Sequence, residues 1–184
     1  PEDEERLKYI TNFSGSAGYA VISSNSSVKS VIFSDGRYEL QLKKEVDAKN
    51  FDCLNGGFKD ICLFLKKNEK KLKKIAIDPW LLTLKQYELL KSFLKGSKIR
   101  FEFVDKNLID EIWVKKNFIV KDKIFEISHQ INGESTSSKF NRLKKIIKKN
   151  KCDFYILFNP VGLSWLLNIR GRELKYTPVI RSFC

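Results

Sequence analysis

The chain has 184 residues, of which 42% are hydrophobic and 31% charged. That is a globular rather than a disordered composition, with room for one large domain or for one domain and part of a second. No apolar run approaches the roughly 18 residues of a membrane-spanning helix, and no basic stretch followed by an apolar one marks a signal peptide.

Two stretches rich in β-branched residues come first. Ala20-Val21-Ile22-Ser23 and Val28 to Phe33 flank the turn-forming Ser24-Asn25-Ser26-Ser27 and predict a hairpin. Asp35-Gly36 interrupts the second strand, and Tyr38 to Lys44 then predicts a helix. Phe58 to Leu65 is amphipathic, Ile75 to Asp78 is a short buried strand, and Leu84, Tyr87, Leu90 and Leu94 share one face of a helix from Thr83 to Leu94. Gly96 closes that helix, and Ile99 to Val104 alternates with the period of a half-buried strand. The order implies an α/β domain containing at least one antiparallel pair, over residues 1–114. Residues 115–136 lack clear periodicity and are expected as a linker. From 137 to 184 the pattern restarts with a helix from Lys139 to Lys149, whose Phe140, Leu143, Ile146 and Ile147 share a face. A strand over Phe154 to Phe158 and a further apolar segment, Leu163 to Ile169, come next. Tyr9-Ile10-Thr11-Asn12-Phe13-Ser14-Gly15 aligns without gaps to Trp165-Leu166-Leu167-Asn168-Ile169-Arg170-Gly171, which supports two units of similar fold and suggests strands ending in glycine.

The net charge of +13 would suit nucleic acid or an anionic membrane surface. Its carrier is mostly lysine, scattered as pairs from Lys66-Lys67 to Lys148-Lys149, with no interleaved stacking aromatics. A solvated lysine-rich face fits better, and neither nucleic acid nor membrane is expected as a partner. None of the four cysteines shows metal or redox spacing, and Cys62 and Cys152 are expected as small buried hydrophobes in a reducing compartment. The single histidine, His129, has no motif partner for a metal or a nucleophile and is expected on the surface. Asp35 and Asp78 end strands and precede turn residues, so capping is the simplest role for each. Gly15 and Gly18 lie in a turn without chemistry, where φ > 0 or a close backbone approach is expected. The chain starts at Pro1, contains no methionine and opens on Glu2-Asp3-Glu4-Glu5, which suggests a piece of a longer protein.

Tyr9 to Gly18, together with Phe33-Ser34-Asp35-Gly36-Arg37-Tyr38, resembles the N-terminal domain of the aminopeptidase P (Xaa-Pro aminopeptidase) family. Asp78-Pro79-Trp80-Leu81, Asn107 to Trp113, Trp165 to Gly171 and Tyr176-Thr177-Pro178-Val179 occur in the family's order, so nearly the whole chain is covered. The resemblance implies a creatinase N-terminal-like fold with a ribonuclease H-like motif, a mixed sheet with helices on both faces. The start of a second similar domain would come after it, as in the long three-domain form, and a first strand is expected upstream of Pro1.

In that family a separate pita-bread domain binds two divalent metals, usually manganese, through two Asp, one His and two Glu, and removes the residue preceding proline. None of those ligands is placed in this sequence. The resemblance therefore implies a non-catalytic N-terminal portion of a cytoplasmic, homodimeric peptidase acting on peptides with proline second. Arg37 and Arg170, each beside a glycine turn, are candidates for the substrate channel or the subunit interface, the alternative for Arg37 being a local ion pair. Gly15, Gly18, Asp35 and Gly36 are candidate structural turn residues. A second class, a pseudo-peptidase binding module akin to histone chaperones that keep an aminopeptidase P-like domain, sits poorly with a charge of +13.

Overall fold

The computed structural model describes residues 5–114, 123–174, 176–180 and 182. They form two compact units, one built on Asp3–Lys116 and one on Asn117–Cys184. Expectations for the opening acidic cluster up to Glu4, for residues 115–122 of the linker, for an upstream strand, and for Cys184 lie outside the described residues.

In the first unit the hairpin forms as its β-branched runs dictate. Strand β1 (Tyr19–Val21) lies antiparallel to β2 (Ser30–Ser34), with Tyr19 opposite Phe33. The side chain of Asn25 shapes the turn by accepting from the Ser27 amide at 2.9 Å. Helix α2 (Glu39–Glu45) then crosses to β3 (Phe51–Asn55), which runs parallel to β2 with Ser30 opposite Phe51. Sequence periodicity passes over β3, because Asp52 and Asn55 are poor strand formers. The ladder of β2 draws it into the sheet.

Being central, β2 buries both of its faces. Val31 and Phe33 pack with Ile61, Cys62 and Leu65 of α3 (Phe58–Lys67) and with Leu90 of α4 (Leu84–Phe93). Ile32 points the other way, into Phe13, Leu42, Val46 and Phe51. The result is the expected mixed sheet with helices on both faces. A parallel pair, β4 (Lys74–Ile77) and β5 (Arg100–Phe103), adds Ile75, Ile77 and Phe101 to the first cluster. Thr83 and Gln86 cap α4 reciprocally, Gln86 N donating to Thr83 Oγ1 at 3.2 Å and Thr83 N to Gln86 Oε1 at 2.9 Å. Gly96 lies just past its end at φ +79°.

The short repeat marks helix ends, not strands. Helix α1 (Arg6–Thr11) stops at Asn12 with φ 64°, and α8 (Pro160–Leu167) stops at Asn168 with φ 54°. Asparagine tolerates this left-handed conformation, which turns the chain off the helix axis. The glycine three residues later leaves room for an apolar side chain packed against it. A Cβ on Gly15 would lie 2.2 Å from Phe13 Cζ, and one on Gly171 would lie 2.9 Å from Ile180 Cγ2.

In the second unit, β6 (Phe125–Glu126) pairs antiparallel with β7 (Ile169–Arg170), and α6 (His129–Asn132) precedes α7 (Thr136–Lys149). The part of the expected linker that is described, 123–136, thus carries regular structure. Elements of two and four residues are too short to leave a periodic signal, and β6 exists only through its distant partner. Two further expectations change. Phe154 to Phe158 is not a strand, and Leu163 to Leu167 is helical because Asn159 caps α8, its Oδ1 accepting from Val161 N at 2.8 Å, with Pro160 at the first helical position. Cys152 is exposed, since the chain leaves α7 there before any core closes over it, whereas Cys62 is fully buried and its thiol is pushed up in pKa by that burial.

Lys139 is a buried polar residue that ties α7 to α8, alongside Thr136, whose Oγ1 donates to the Leu167 carbonyl at 3.2 Å. Lys139 is only 2% exposed, with Nζ 2.7 Å from the Trp165 carbonyl, 2.5 Å from Asn168 Oδ1 and 4.2 Å from the Trp165 ring centroid. The ammonium thus meets the negative end of α8 and the face of an indole, which offsets its desolvation.

The close contacts at the two turn glycines of the first unit set an expectation. Phe13 is 1% exposed and has no room to retreat, so Gly15→Ala is expected to cost about 1–3 kcal/mol as overpacking. Gly18→Val would press a Cβ to 3.2 Å from the Phe33 carbonyl oxygen and is expected to cost more than the ~1 kcal/mol of an average substitution. Gly57→Ser, at a position with nothing within 4 Å of the added atom, serves as the control. Thermal melts in which all three variants match the parent would contradict this account.

Candidate functional site

The polar features of the first unit gather where its strands end. At the end of β2, Asp35 accepts the Arg37 amide at 3.1 Å and opens a single 3₁₀ turn, Gly36–Tyr38. The Arg37 guanidinium folds back on the same carboxylate through two 2.8 Å bonds, Nε to Oδ1 and NH2 to Oδ2. It also stands 5.4 Å from the Tyr38 ring centroid. These bonds hold the Asp35 carboxyl at about 2, below its ordinary 3.8. The Arg37 side chain is still 73% exposed. Gly36 keeps ordinary φ and has only the Asn55 amide nearby, so it adds room and no strain.

Beside this turn lies a network on the exposed face of α2. Glu45 accepts the Ser14 amide at 2.8 Å and the Gln41 side chain at 3.0 Å, and its carboxyl is lowered chiefly by that amide. The hydroxyls of Ser16 and Tyr38 share a 2.7 Å hydrogen bond. The 10–18 segment is therefore tied to α2 by hydrogen bonds as well as by Phe13.

At the end of β4, Asp78 repeats the capping geometry. Its Oδ1 accepts the Trp80 amide at 2.9 Å and its Oδ2 accepts Asn107 Nδ2 at 2.7 Å. Asn107 also caps α5 (Leu108–Ile112), accepting from Ile109 N at 3.0 Å. Arg6 of α1 grips Asp110 of α5 through bonds of 2.8 and 2.7 Å, across 104 residues of sequence. Together with Trp80, which is 91% exposed, these residues border an open cleft of about 800 Å³. Sequence reasoning gave Trp80, Asn107 and Asp110 no role. The only signal for Asn107 was its place before an apolar run, and nothing in the sequence pairs Arg6 with Asp110.

Of the remaining candidates, Arg170 is half-buried, with NH1 donating to the carbonyls of Ser164 at 2.9 Å and Ile169 at 2.8 Å. Gly15 and Gly18 both have negative or extended backbone and are constrained by the contacts already described. His129 starts the four-residue α6 and is exposed. Among the described residues no three His, Cys, Asp or Glu side chains stand together in a set able to hold a metal ion. The exposed groups at these strand ends are the Arg37 guanidinium, the Asp35 carboxylate and the Trp80 indole.

Comparison with known proteins gives this arrangement its context. Residues 2–111 match the creatinase/prolidase N-terminal domain family, and residues 115–184 match a second model of the same description. Probable Xaa-Pro aminopeptidase P of Laccaria bicolor is 30% identical over 184 residues, covering 98% of this chain and 28% of that protein. Xaa-Pro aminopeptidase 1 of Dictyostelium discoideum is also 30% identical, over 98% of this chain and 30% of its own length. Among solved structures, the X-prolyl aminopeptidase of Caenorhabditis elegans, a cytosolic enzyme with a di-nuclear active site, superimposes with a TM-score of 0.85 at 26% identity, over 99% of this chain and 30% of that one. The chain spans less than a third of the length of each of these relatives. It belongs to the creatinase/prolidase N-terminal domain family, in the form found in Xaa-Pro aminopeptidases.

Proposed function

We propose that this chain is the non-catalytic N-terminal portion of a metal-dependent Xaa-Pro aminopeptidase, and that it shapes substrate access and dimerisation. The observation that carries the proposal is the match over 98% of this chain to 28% of an aminopeptidase P. The chemistry would then reside in the remaining part, with two divalent ions, manganese being the expected metal. The substrates are peptides with proline second, the assembly is a homodimer, and the location is the cytoplasm. The cytosolic C. elegans relative supports that location, and no helix among the described residues is long and apolar enough to cross a membrane.

An exopeptidase must admit a chain end and reject folded protein. A rigid domain at the mouth of the active site does this by size, and exposed groups on it bind substrate residues far from the scissile bond. Arg37 suits that role. Its pairing with Asp35 is at the surface, so it adds little stability and opens readily to a peptide carbonyl or a partner carboxylate. Among the described residues Arg170 donates through NH1 to the carbonyls of Ser164 and Ile169, which fixes its guanidinium beside the end of α8, where it would meet an interface.

The full-length protein with manganese should release the first residue of Xaa-Pro peptides, while the 184-residue chain should show no turnover above a boiled control. Turnover by the short chain would remove the proposal. Arg37→Ala in the full-length protein should raise KM for longer peptides more than for dipeptides, because only the longer ones reach it. Equal changes at every length, with the dimer intact, would confine Arg37 to its local pair.

The same pair also has a pH signature. A depressed carboxyl keeps its pairing above the ordinary carboxylate value and loses it as pH falls through the folded value. The Asp35–Arg37 pair should therefore persist through pH 3.8 and open near about 2. Carbon-detected NMR titration should place the Asp35 midpoint there, and Arg37→Gln should return it toward 3.8. An unmoved midpoint would show that Arg37 is not the cause.

A further inference from the structure

The open cleft of about 800 Å³ that Trp80 borders lies past the carboxyl ends of β4 and β5. That is the end of a parallel pair at which open α/β sheets hold their ligands. Its size suits a small ligand or a few residues of peptide. Trp80 and Leu81 give the cleft an apolar side, and both are exposed. They sit on a single 3₁₀ turn, Pro79–Leu81, which the Asp78 cap ties to the end of β4, so the backbone beneath the indole is fixed.

Charge selects the occupant. The chain as a whole carries +13, yet four carboxylates and only two cations line the cleft. Asp110 is taken by Arg6, and Asp78 by the Trp80 amide and Asn107. Asp105 and Glu111 are exposed, and among the described residues neither has a hydrogen bond or an ion pair. The opposite end of the same strands is basic, with Lys73 and Lys74 at the start of β4 and Lys98 and Arg100 at the start of β5. The field along the pair therefore draws cations to the cleft. A phosphate or a nucleic-acid strand would meet two uncompensated carboxylates there. Among cations, arginine fits best. Its planar guanidinium stacks on an indole face while its edge takes a carboxylate through two parallel bonds. A metal ion has no use for the indole, and a lysine ammonium cannot make the paired bonds.

We propose that this cleft is a docking site for an arginine-bearing peptide segment, the guanidinium held by the Trp80 indole and the open carboxylates of Asp105 and Glu111. A neighbouring apolar residue of the segment rests on Leu81. Lys106 lines the same cleft without a carboxylate partner among the described residues, so it opposes the ligand and weakens its hold. The site belongs to the first unit alone and stands whether or not the longer protein is a peptidase.

The test is a titration of the full-length protein, labelled with fluorotryptophan and followed by fluorine NMR, with acetyl-Gly-Arg-Leu-Arg-Gly-amide. The blocked end and the lack of proline keep this peptide from being an Xaa-Pro substrate, so cleavage, measured separately, does not bear on the outcome. Trp80→Phe identifies the Trp80 signal. That signal should shift saturably while the Trp165 signal stays fixed, and acetyl-Gly-Glu-Leu-Glu-Gly-amide should move neither. Asp105→Asn with Glu111→Gln should weaken binding roughly 10-fold, and Lys106→Gln should tighten it about 2-fold, a gain that misfolding cannot imitate. No shift at Trp80, equal shifts from the two peptides, or unchanged affinity in the double variant overturns the proposal. A shift of the same size from calcium chloride alone also overturns it, by making the cleft a simple cation site. So does a Trp80 signal that moves with protein concentration in the absence of peptide, which assigns the cleft to a second copy.

Discussion

The first unit depends on a single strand having no solvent face. Val31 and Phe33 are committed to the α3–α4 side, and Ile32 to the side of Phe13, Leu42 and Val46. A slip of one residue in either ladder would exchange those sets and strand large side chains in the wrong core. The antiparallel pairing with β1, the parallel pairing with β3, and the seating of helices on both faces all depend on that one alternation. So does the placement of Asp35, because the strand that delivers it cannot shift without unpacking two clusters.

The same constraint separates what was legible in the sequence from what was not. The hairpin, α3, α4, β4 and β5 could be read because each repeats its apolar period over enough residues, or is fenced by residues such as Thr83 and Gly96 that have one common use. Strand β3 was not readable, since Asp52 and Asn55 argue against it locally and only the neighbouring edge of β2 recruits it. Strands β6 and β7 have two residues each, and no local rule describes so short a pair. At the candidate site, Asp35 with Arg37 was visible as a neighbouring pair. Arg6 with Asp110 was not, because it is a product of the fold. Phe154 to Phe158 is the reverse case: its sequence is that of a strand, and the structure around it does not supply the context.

The recurring Asn-apolar-x-Gly element shows how a weak similarity acquires physical content. In both copies asparagine ends a helix in the left-handed conformation, the next residue turns inward to a half-buried or buried position, and a glycine yields its Cβ space to a neighbouring apolar side chain. Each copy thereby sets the direction in which the chain leaves its helix. In the first unit the exit leads to Gly18 and the hairpin. In the second it leads to β7, whose pairing with β6 draws in the segment ahead of α6.

Lys139 adds a consequence of a different sort. Amine-reactive reagents need a neutral, accessible Nζ, and the solvated lysines along α7 satisfy the second condition. Lys139 does not, enclosed as it is by the Trp165 carbonyl, the Trp165 ring and the Asn168 amide. Its acylation must wait for α7 to part from α8. The labelling rate of this one side chain, set against that of Lys144 or Lys148 on the same helix, is thus a built-in clock for the opening of the second unit.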